Sequence, residues 1–299
     1  MVGFLEKLES AILANQTLLC VGLDPVPERM HGYSIHEFNR AIIDATQDLV
    51  CAYKPNLAFY EAQGIDGLRD LEKTLAYIPD AIPVIGDGKR GDVGSTAEAY
   101  ARALFEVWGF DAITVNPYGG RDAIEPFTAY SDKGIFVWCR SSNPSAGELQ
   151  DLLSELPPQI GQRSLDQDGQ LLSESGSPQD AHPLYEWVAR KTLSWNENGN
   201  LGLVVGATYP QELADLRRLC PDIPFLIPGI GTQGGDLELS VKGGINSRGM
   251  GAIFNVSRQV LYASSDARVF ADSARQAAEK FQLQVADVLR QLGVSWVAN

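Results

Sequence analysis

Five charged residues in the first third of the sequence form a pattern that could do electrostatic and proton-transfer chemistry. Asp24, Lys54 and Asp87 each end a short apolar run, and Lys89 and Asp92 follow in the sequence DGKRGD. Because residues i and i+2 of a strand face the same side, Asp87 and Lys89 are predicted to project together. An ammonium among carboxylates stays protonated, so this array could stabilise developing negative charge and donate a proton. An ordinary structural ion-pair network is the alternative interpretation.

The glycines of the same segment and the residues after it bear on Asp92. Gly88 and Gly91 allow the backbone to turn tightly around the charged side chains. Asp92 precedes a predicted helix and could cap it. However, Ser95 and Glu98 have the spacing of a capping box of their own, which would leave Asp92 free for another role.

A second pattern, closer to the C-terminus, is typical of a phosphate site. The segment PGIGTQGGD at 228–236 leads into a predicted helix, where free backbone N–H groups and the helix dipole favour an anion. Arg258 follows the next apolar run, and a guanidinium can bind phosphate through two hydrogen bonds. A tight turn and an unrelated surface arginine are the alternative.

A third segment, RSSNPSAG at 140–147, offers small hydroxyl and amide groups that could donate hydrogen bonds to the carbonyls of a heterocycle. A helix-capping turn explains the same residues equally well.

These residues must be positioned by eight short apolar runs separated by helical patterns. The runs lie at 18–24, 49–54, 82–87, 112–116, 135–141, 203–208, 225–229 and 252–257. Helical periodicity is clearest at 36–50, 95–108 and 267–292. Near-continuous apolar runs suit parallel strands buried on both faces, and eight alternations predict an α/β fold, the (β/α)₈ barrel. An open doubly wound sheet is the alternative, but the number of strands favours closure, with the active site at the carboxyl ends.

The regular spacing is interrupted once, after the fifth predicted strand. Residues 156–183 are rich in Gln, Ser, Asp, Pro and Gly, which predicts a long, exposed and partly disordered insertion. It could cover the site as a lid, although a passive surface loop is favoured. Residues 1–299 otherwise contain no linker and are predicted to form a single domain.

Composition disfavours two classes of partner. The 299 residues contain 24 Lys and Arg against 38 Asp and Glu, giving a net charge of −14. This charge disfavours binding to nucleic acid and to anionic membranes. A phosphorylated ligand would therefore need positive charge concentrated at its own site.

Further features predict a cytoplasmic protein and disfavour a histidine-based metal site. The cysteines at 20, 51, 139 and 220 are far apart, which predicts buried free thiols in a reducing compartment. The three histidines lie near no other motif, which disfavours histidine-based metal or triad chemistry. The first residues predict an amphipathic helix rather than a signal peptide, and no apolar stretch reaches the 18 residues of a membrane span.

Taken together, these motifs resemble orotidine 5′-phosphate decarboxylases of the longer-chain bacterial subgroup, type 2. The resemblance covers about residues 17–262 through VGLDP, YKPNLAFYEAQG, DGKRGDVGSTAEAYA, TVNPYGG, SSNPSA, GLVVGAT and PGIGTQGGD. It implies a homodimeric (β/α)₈ barrel that converts orotidine 5′-monophosphate to UMP and carbon dioxide in pyrimidine biosynthesis. It also implies that no cofactor or metal takes part.

The resemblance implies a role for each residue of the charge array. Lys89 would protonate C6 of the pyrimidine, and Asp87 would lie against the substrate carboxylate. Asp24 and Lys54 would hold the ribose hydroxyls. Asp92 would reach into the site of the partner subunit.

The substrate-binding residues that the resemblance implies are Thr96, Asn116, Ser142, Gly231, Gln233 and Arg258. Thr96 would accompany Asp92 across the dimer interface. Ser142 would contact the pyrimidine, while Gln233 and Arg258 would hold the phosphate.

Two other functions remain open at this point. One is a related barrel enzyme that acts on a sugar phosphate with a divalent metal; such relatives carry a carboxylate where this chain has Lys54. The other is a non-catalytic binder of a phosphorylated ligand.

Overall fold

A computed structural model describes residues 2–154, 181–231, 235–294 and 296. Its main sheet contains eight parallel strands, one for each predicted apolar run. They are β1 Leu19–Leu23, β2 Ala52–Pro55, β3 Ile85–Arg90, β4 Ala112–Val115, β5 Gly134–Arg140, β6 Leu201–Val205, β7 Phe225–Pro228 and β8 Ala252–Val256. The strand prediction is therefore confirmed. Most of the strand residues are buried, which explains why the runs are continuously apolar rather than alternating.

The sheet curves until its two end strands meet. Its hydrogen-bonded order runs β2, β1, β8, β7, β6, β5, β4, β3. The β2–β3 seam is closed by isolated parallel bridges from Tyr53 to Val84 and from Asn56 to Asp87. The Tyr53 N–H also donates to the Pro83 carbonyl at 3.0 Å. These contacts make the sheet a barrel and exclude the open doubly wound alternative.

Helices surround the barrel. They are α1 Phe4–Asn15, α2 Ile35–Thr46, α3 Leu57–Glu61, α4 Gly64–Tyr77, α5 Gly94–Arg102, α6 Glu125–Thr128, α7 Gly147–Gln150, α8 Leu184–Trp195, α9 Pro210–Leu219, α10 Leu237–Gly244, α11 Arg258–Leu261 and α12 Phe270–Gln291. The predicted helices at 36–50, 95–108 and 267–292 correspond to α2, α5 and α12, and α5 continues into a π-helical turn over Ala103–Val107. Within the described ranges, none of these helices is both long and apolar enough to span a membrane.

The N-terminal helix α1 closes the end of the barrel opposite the carboxyl ends of the strands. The ring of Phe4 packs edge-on against Phe136 with centroids 5.7 Å apart. It occupies the space beside Gly134, where a Cβ atom would lie 2.3 Å from the ring. The predicted amphipathic N-terminal helix is thus confirmed, and its buried face covers this end of the barrel.

A buried arginine ties α9 to the strands that follow it. The guanidinium of Arg217 donates to the carbonyls of Gly244, Ile223 and Gly251 at 2.8–2.9 Å. It also lies 3.7 Å from the centroid of the Phe225 ring. Burial lowers the pKa of Arg217 to about 10, so the side chain remains a cation at neutral pH.

Most of the predicted insertion at 156–183 lies outside the described residues, and its role as a lid or a passive loop stays a prediction. Its last residues are described. His182–Pro183 pairs antiparallel with Leu153–Ser154, and the Trp187 indole donates to the Ser154 carbonyl at 2.9 Å. Residues 181–183 are half-buried, so the prediction of an exposed segment is wrong for these three residues.

The four cysteines are buried free thiols, as predicted. Burial raises the pKa of Cys220 to about 11 and that of Cys20 to about 12, although the charge of Lys54 acts against the shift at Cys20. Buried thiols of this kind behave as small apolar side chains.

Candidate active site

Neighbouring strands β2 and β3 bring three of the predicted charges together at the carboxyl end of the barrel. The Lys54 ammonium lies 2.8 Å from Asp87 Oδ2, and the Lys89 ammonium lies 2.7 Å from Asp87 Oδ1. Lys54 is 3% exposed and Asp87 is 6% exposed. One buried carboxylate is therefore shared by two ammonium groups, and the Asn56 amide donates to the same carboxylate at 3.4 Å.

The backbone at Lys89 is not that of a regular strand. Its φ of +44° lies in the left-handed region, and the register between β3 and β4 shifts between Gly86 and Arg90. The N–H groups of Gly88 and Lys89 both donate to Thr114 Oγ1, at 3.1 and 2.9 Å. The prediction that Asp87 and Lys89 project together is confirmed by their 2.7 Å contact, but a bulge anchored on the Thr114 hydroxyl, rather than strand alternation, aims the ammonium.

Thr114 also completes the array from the next strand. Its hydroxyl donates to Asp87 Oδ1 at 2.8 Å, and the residue is buried. The carboxylate that balances the two lysines is thus fixed from β2, β3 and β4 together.

Asp24 lies directly after β1 and lines the same cavity as Lys54 and Lys89. Its backbone carbonyl accepts a hydrogen bond from Tyr262 Oη at 3.0 Å. Its Oδ1 atom is buried and has no hydrogen-bond partner within the described part of the chain. A buried carboxylate oxygen without a partner is costly, so this atom is well placed to accept a hydrogen bond from a ligand.

The charges of the array determine its protonation. Burial by itself would lower the pKa of Lys54, but the carboxylates of Asp87 and Asp24 outweigh it and hold that pKa above its ordinary value. Burial would likewise raise the pKa of Asp87, but the charges of Lys54 and Lys89 outweigh it and lower that pKa. Both groups therefore stay ionised through the neutral range.

The lowered pKa of Asp87 makes its contribution to stability dependent on pH. An unfolded aspartate titrates near pH ~3.9, so the contribution is complete above about pH 5 and is lost as pH falls through the lower folded pKa. We expect the stability difference between wild type and Asp87→Asn to be present in full at about pH 5–6 and to shrink below about pH 4. Urea unfolding across this range measures it, and a difference that grows on acidification would contradict the assignment.

The array forms one side of a cavity of about 520 Å³. Phe59 and Trp138 supply apolar walls, and the Lys89 ammonium lies 5.6 Å from the centroid of the Trp138 ring. Ser142 lines the cavity from the segment that follows β5. The cavity thus has a charged end, an apolar wall and a hydroxyl-bearing edge.

The opposite end of the cavity is formed after β7 and β8. Gly229 and Gly231 have φ values of +99° and +79°, and a Cβ atom on Gly231 would lie 2.0 Å from the side chain of Gln259. Gly229 and Arg258 line the cavity, and Arg258 is exposed as the first residue of α11. Residue Gln233 lies outside the described residues.

The structure does not bring Asp92 and Thr96 into the cavity of their own chain. Both are exposed, and the Asp92 carboxylate accepts a hydrogen bond from the Val93 N–H at 2.7 Å. The predicted capping box of Ser95 and Glu98 is wrong. Helix α5 begins at Gly94, one residue before Ser95, and Val93 at its N-cap forms no side-chain cap.

Asn116 is not among the residues that line the cavity of its own chain, and its contact with substrate stays a prediction. Its side chain accepts a hydrogen bond from the Tyr118 N–H at 3.0 Å and caps the 3₁₀ turn Pro117–Gly119. The asparagine therefore shapes the loop after β4.

Sequence reasoning missed several residues of the site. Thr114, Trp138, Asn255 and Ser257 line the cavity, as does Arg140, which is 1% exposed. Each lies within two residues of the carboxyl end of a strand. This position near a strand end is the sequence signal that could have identified them. A single residue inside an apolar run can equally belong to the barrel core, so the signal alone does not assign it to the site.

Comparison with known proteins agrees with this geometry. Residues 17–272 match the sequence model described as "Orotidine 5'-phosphate decarboxylase / HUMPS family". The orotidine 5′-phosphate decarboxylase of Thermomicrobium roseum is 48% identical over 298 residues, covering 97% of this chain and 98% of that protein. The corresponding protein of Roseiflexus castenholzii is 46% identical and covers 97% of this chain and 99% of its own length.

Solved structures show the same likeness. The structure of Leishmania donovani UMP synthase superposes with a TM-score of 0.80 at 37% identity over 96% of this chain. This chain spans only 56% of that protein. The putative orotidine-monophosphate decarboxylase of Toxoplasma gondii has a TM-score of 0.80 at 33% identity, covering 97% of this chain and 98% of that one.

Proposed function

Because this chain belongs to the orotidine 5′-phosphate decarboxylase / HUMPS family, we propose that Lys54, Asp87 and Lys89 carry its chemistry. The protein is a carboxy-lyase of pyrimidine biosynthesis that converts orotidine 5′-monophosphate to UMP and carbon dioxide. The observation that supports the residue assignment is the Asp87 carboxylate held between two ammonium groups, at 2.8 and 2.7 Å.

The reaction breaks the bond between C6 of the pyrimidine and the carboxylate carbon. The electron pair remains on C6, carbon dioxide departs, and a proton from the Lys89 ammonium forms the new C6–H bond. The carbanion at this sp² carbon is localised, with no conjugated group to accept the charge. A fixed ammonium aimed at it stabilises the transition state more than the ground state.

The electrostatic interaction with one ammonium is not sufficient to account for the barrier lowering expected of an enzyme. Two unit charges about 4 Å apart interact by about 4 kcal/mol at an effective dielectric constant of about 20. Enzymes commonly lower barriers by about 8–23 kcal/mol. The remainder comes from binding of the ribose and phosphate, which orients the base, and from Asp87, whose charge opposes the substrate carboxylate until that carboxylate leaves as neutral carbon dioxide.

The remaining residues bind substrate. Asp24, through its buried Oδ1, and Lys54 hold the ribose hydroxyls. Ser142 contacts the pyrimidine edge. Arg258 holds the phosphate at the opposite end of the cavity.

The turn after β7 assists Arg258 at the phosphate. Gln233 supplies a side-chain donor there. Gly231 allows the backbone to turn there, since its left-handed φ of +79° suits glycine.

Incubation of the purified protein with orotidine 5′-monophosphate and EDTA tests this function. We expect the absorbance of orotidylate to fall as UMP forms, with the same rate in the presence and absence of the chelator. An absence of turnover would contradict the function. Turnover that EDTA abolishes would instead favour the metal-dependent alternative.

The active form proposed here is a homodimer in which Asp92 and Thr96 complete the partner's site. Next to these exposed residues lie large exposed apolar side chains: Val93 is 70% exposed and Tyr118 is 85% exposed. The two segments run side by side, because Gly91 packs against the Asn116 carbonyl, 2.6 Å from where its Cβ atom would lie. Such apolar exposure is typical of an interaction surface.

Complementation between two inactive variants tests the shared site. Lys89→Ala and Asp92→Ala should each be nearly inactive as homodimers. Mixed dimers contain one site with both lesions and one intact site, so equal mixing should restore about one quarter of wild-type activity. Activity that stays at the average of the two parents after subunit exchange would show that Asp92 acts within its own chain.

A further inference from the structure

Arg140, the last residue of β5, is a charged side chain beside the cavity that the proposed reaction does not use. It is 1% exposed and contributes to the cavity wall. Burial of a charge is costly unless the charge is paired and hydrogen-bonded. The contacts of this guanidinium should therefore reveal what it holds in place.

The guanidinium is enclosed by acids and by aromatic rings. Its Nη1 lies 2.8 Å from Asp151 Oδ1, and its Nη2 lies 3.7 Å from a carboxylate oxygen of Glu212. Its central carbon lies 3.9 Å from the centroid of the Tyr209 ring and 5.0 Å from that of Tyr185. A planar guanidinium can stack and form ion pairs at the same time, which an ammonium cannot do.

Two neighbours of the guanidinium bind the backbone of the segment Ser141–Asn143. Gln150 Oε1 lies 3.5 Å from Arg140 Nη1 and accepts a hydrogen bond from the Ser141 N–H at 2.9 Å. The Tyr209 hydroxyl donates to the Asn143 carbonyl at 3.3 Å. The side chains that fix both ends of this segment are thus packed on one buried guanidinium.

Ser142, between these ends, has little freedom to move. A Cβ atom on Gly206 would lie 2.7 Å from the Ser142 nitrogen and 2.9 Å from its Cα and Cβ atoms, so the two backbones are in close contact. The Gly206 N–H in turn donates to the Arg140 carbonyl at 2.8 Å. The segment Ser141–Asn143 is therefore held on one side by Gly206 and on the other by Gln150 and Tyr209, which pack on Arg140.

We propose that Arg140 is a positioning residue for the base-binding segment Ser141–Asn143 and that it determines how strongly the enzyme prefers ligands that carry a pyrimidine. Arg140 acts through Gln150 and Tyr209, and it does not contact the phosphate end of the cavity. The proposal rests on the proposed function, because it assigns the pyrimidine edge to Ser142.

Binding of UMP and of ribose 5-phosphate to Arg140→Lys, measured by calorimetry, tests this role. Lysine keeps the charge but loses the stacking and the forked hydrogen bonds. We expect the Kd for UMP to rise about tenfold, the size of one or two lost hydrogen bonds, while the Kd for ribose 5-phosphate changes less than about twofold. A merely structural role would move both constants together.

Two further variants keep the test decisive. Arg217→Lys alters another buried arginine, one that belongs to α9 and binds backbone carbonyls away from the segment Ser141–Asn143, and should leave the ratio of the two constants unchanged. Asp151→Asn removes one ion-pair partner of Arg140, and Asp151 is itself half-exposed. We expect this variant to raise the Kd for UMP about threefold without a matching change for ribose 5-phosphate, as for an ion pair partly screened by solvent.

Each outcome bears on a definite claim. An unchanged ratio in both Arg140→Lys and Asp151→Asn, with wild type binding UMP, would overturn the role of Arg140 alone. If Arg140→Lys does not fold, the ratio of the Kd values for UMP and ribose 5-phosphate in Asp151→Asn decides whether Arg140 has this role. Failure of the wild-type protein to bind UMP would overturn the proposed function, and this inference with it.

Discussion

Lys89→Ala is expected to lower kcat/KM for orotidine 5′-monophosphate by about 10⁵-fold. Loss of an ammonium interaction of about 4 kcal/mol accounts for roughly 10³-fold of this. Loss of the positioned proton donor accounts for about 10²-fold more, at the lower end of what general acids supply. Turnover can be followed by the absorbance of orotidylate, and the fold by circular dichroism.

The left-handed backbone at Lys89 offers a matched pair of variants. Lys89→Gly should be as inactive as Lys89→Ala but more stable by about 1 kcal/mol, because glycine adopts positive φ without strain. Lys73→Ala, which removes an exposed lysine paired with Asp70, should leave turnover unchanged. Activity of Lys89→Ala within tenfold of wild type would refute the role assigned to this side chain.

Asp87→Asn should lower the free energy of unfolding by about 3–5 kcal/mol, the range for breaking a buried ion pair from one side. The variant leaves the Lys54 ammonium, which is 3% exposed, without its carboxylate partner. Turnover should also fall steeply, because Lys89 loses the group that orients it. Urea unfolding and steady-state kinetics on the same preparation measure both effects.

A double variant separates the unpaired charge from other effects of the substitution. Lys54→Met combined with Asp87→Asn should be more stable than Asp87→Asn alone, because no buried ammonium is left unpaired. Asp48→Asn provides a control, because Asp48 forms an exposed ion pair with Arg275. This substitution should lower the free energy of unfolding by less than about 1 kcal/mol. Equal losses of stability in Asp87→Asn and Asp48→Asn would contradict the large stabilisation assigned to the buried Lys54–Asp87 pair.

The barrel could be predicted from the sequence because its strands are buried on both faces. Such strands leave continuous apolar runs, and the residue that ends each run lies at the end of the barrel where sites are built. Asp24, Lys54 and Asp87 can therefore be identified as neighbours from the sequence alone. Helix α12 was equally clear, because its apolar residues recur with helical spacing over 22 residues.

Other features depend on contacts that no local pattern encodes. The bulge at Lys89 depends on the Thr114 hydroxyl, which arrives from a different strand. The start of α5 at Gly94 overrode the capping-box spacing of Ser95 and Glu98. The burial of Arg140 is determined by Tyr209, which lies 69 positions further along the chain and packs against it only in the folded barrel.

The closure of the barrel between β2 and β3 has a consequence for heat inactivation. This seam is closed by isolated bridges, whereas the other seven strand pairings form ladders, and the Lys54–Asp87 pair spans it. Local breathing there would separate the two charges while the rest of the molecule keeps its shape. Catalysis would then fail at a lower temperature than the cooperative melting of the chain, and amide exchange at Tyr53 would report the same opening.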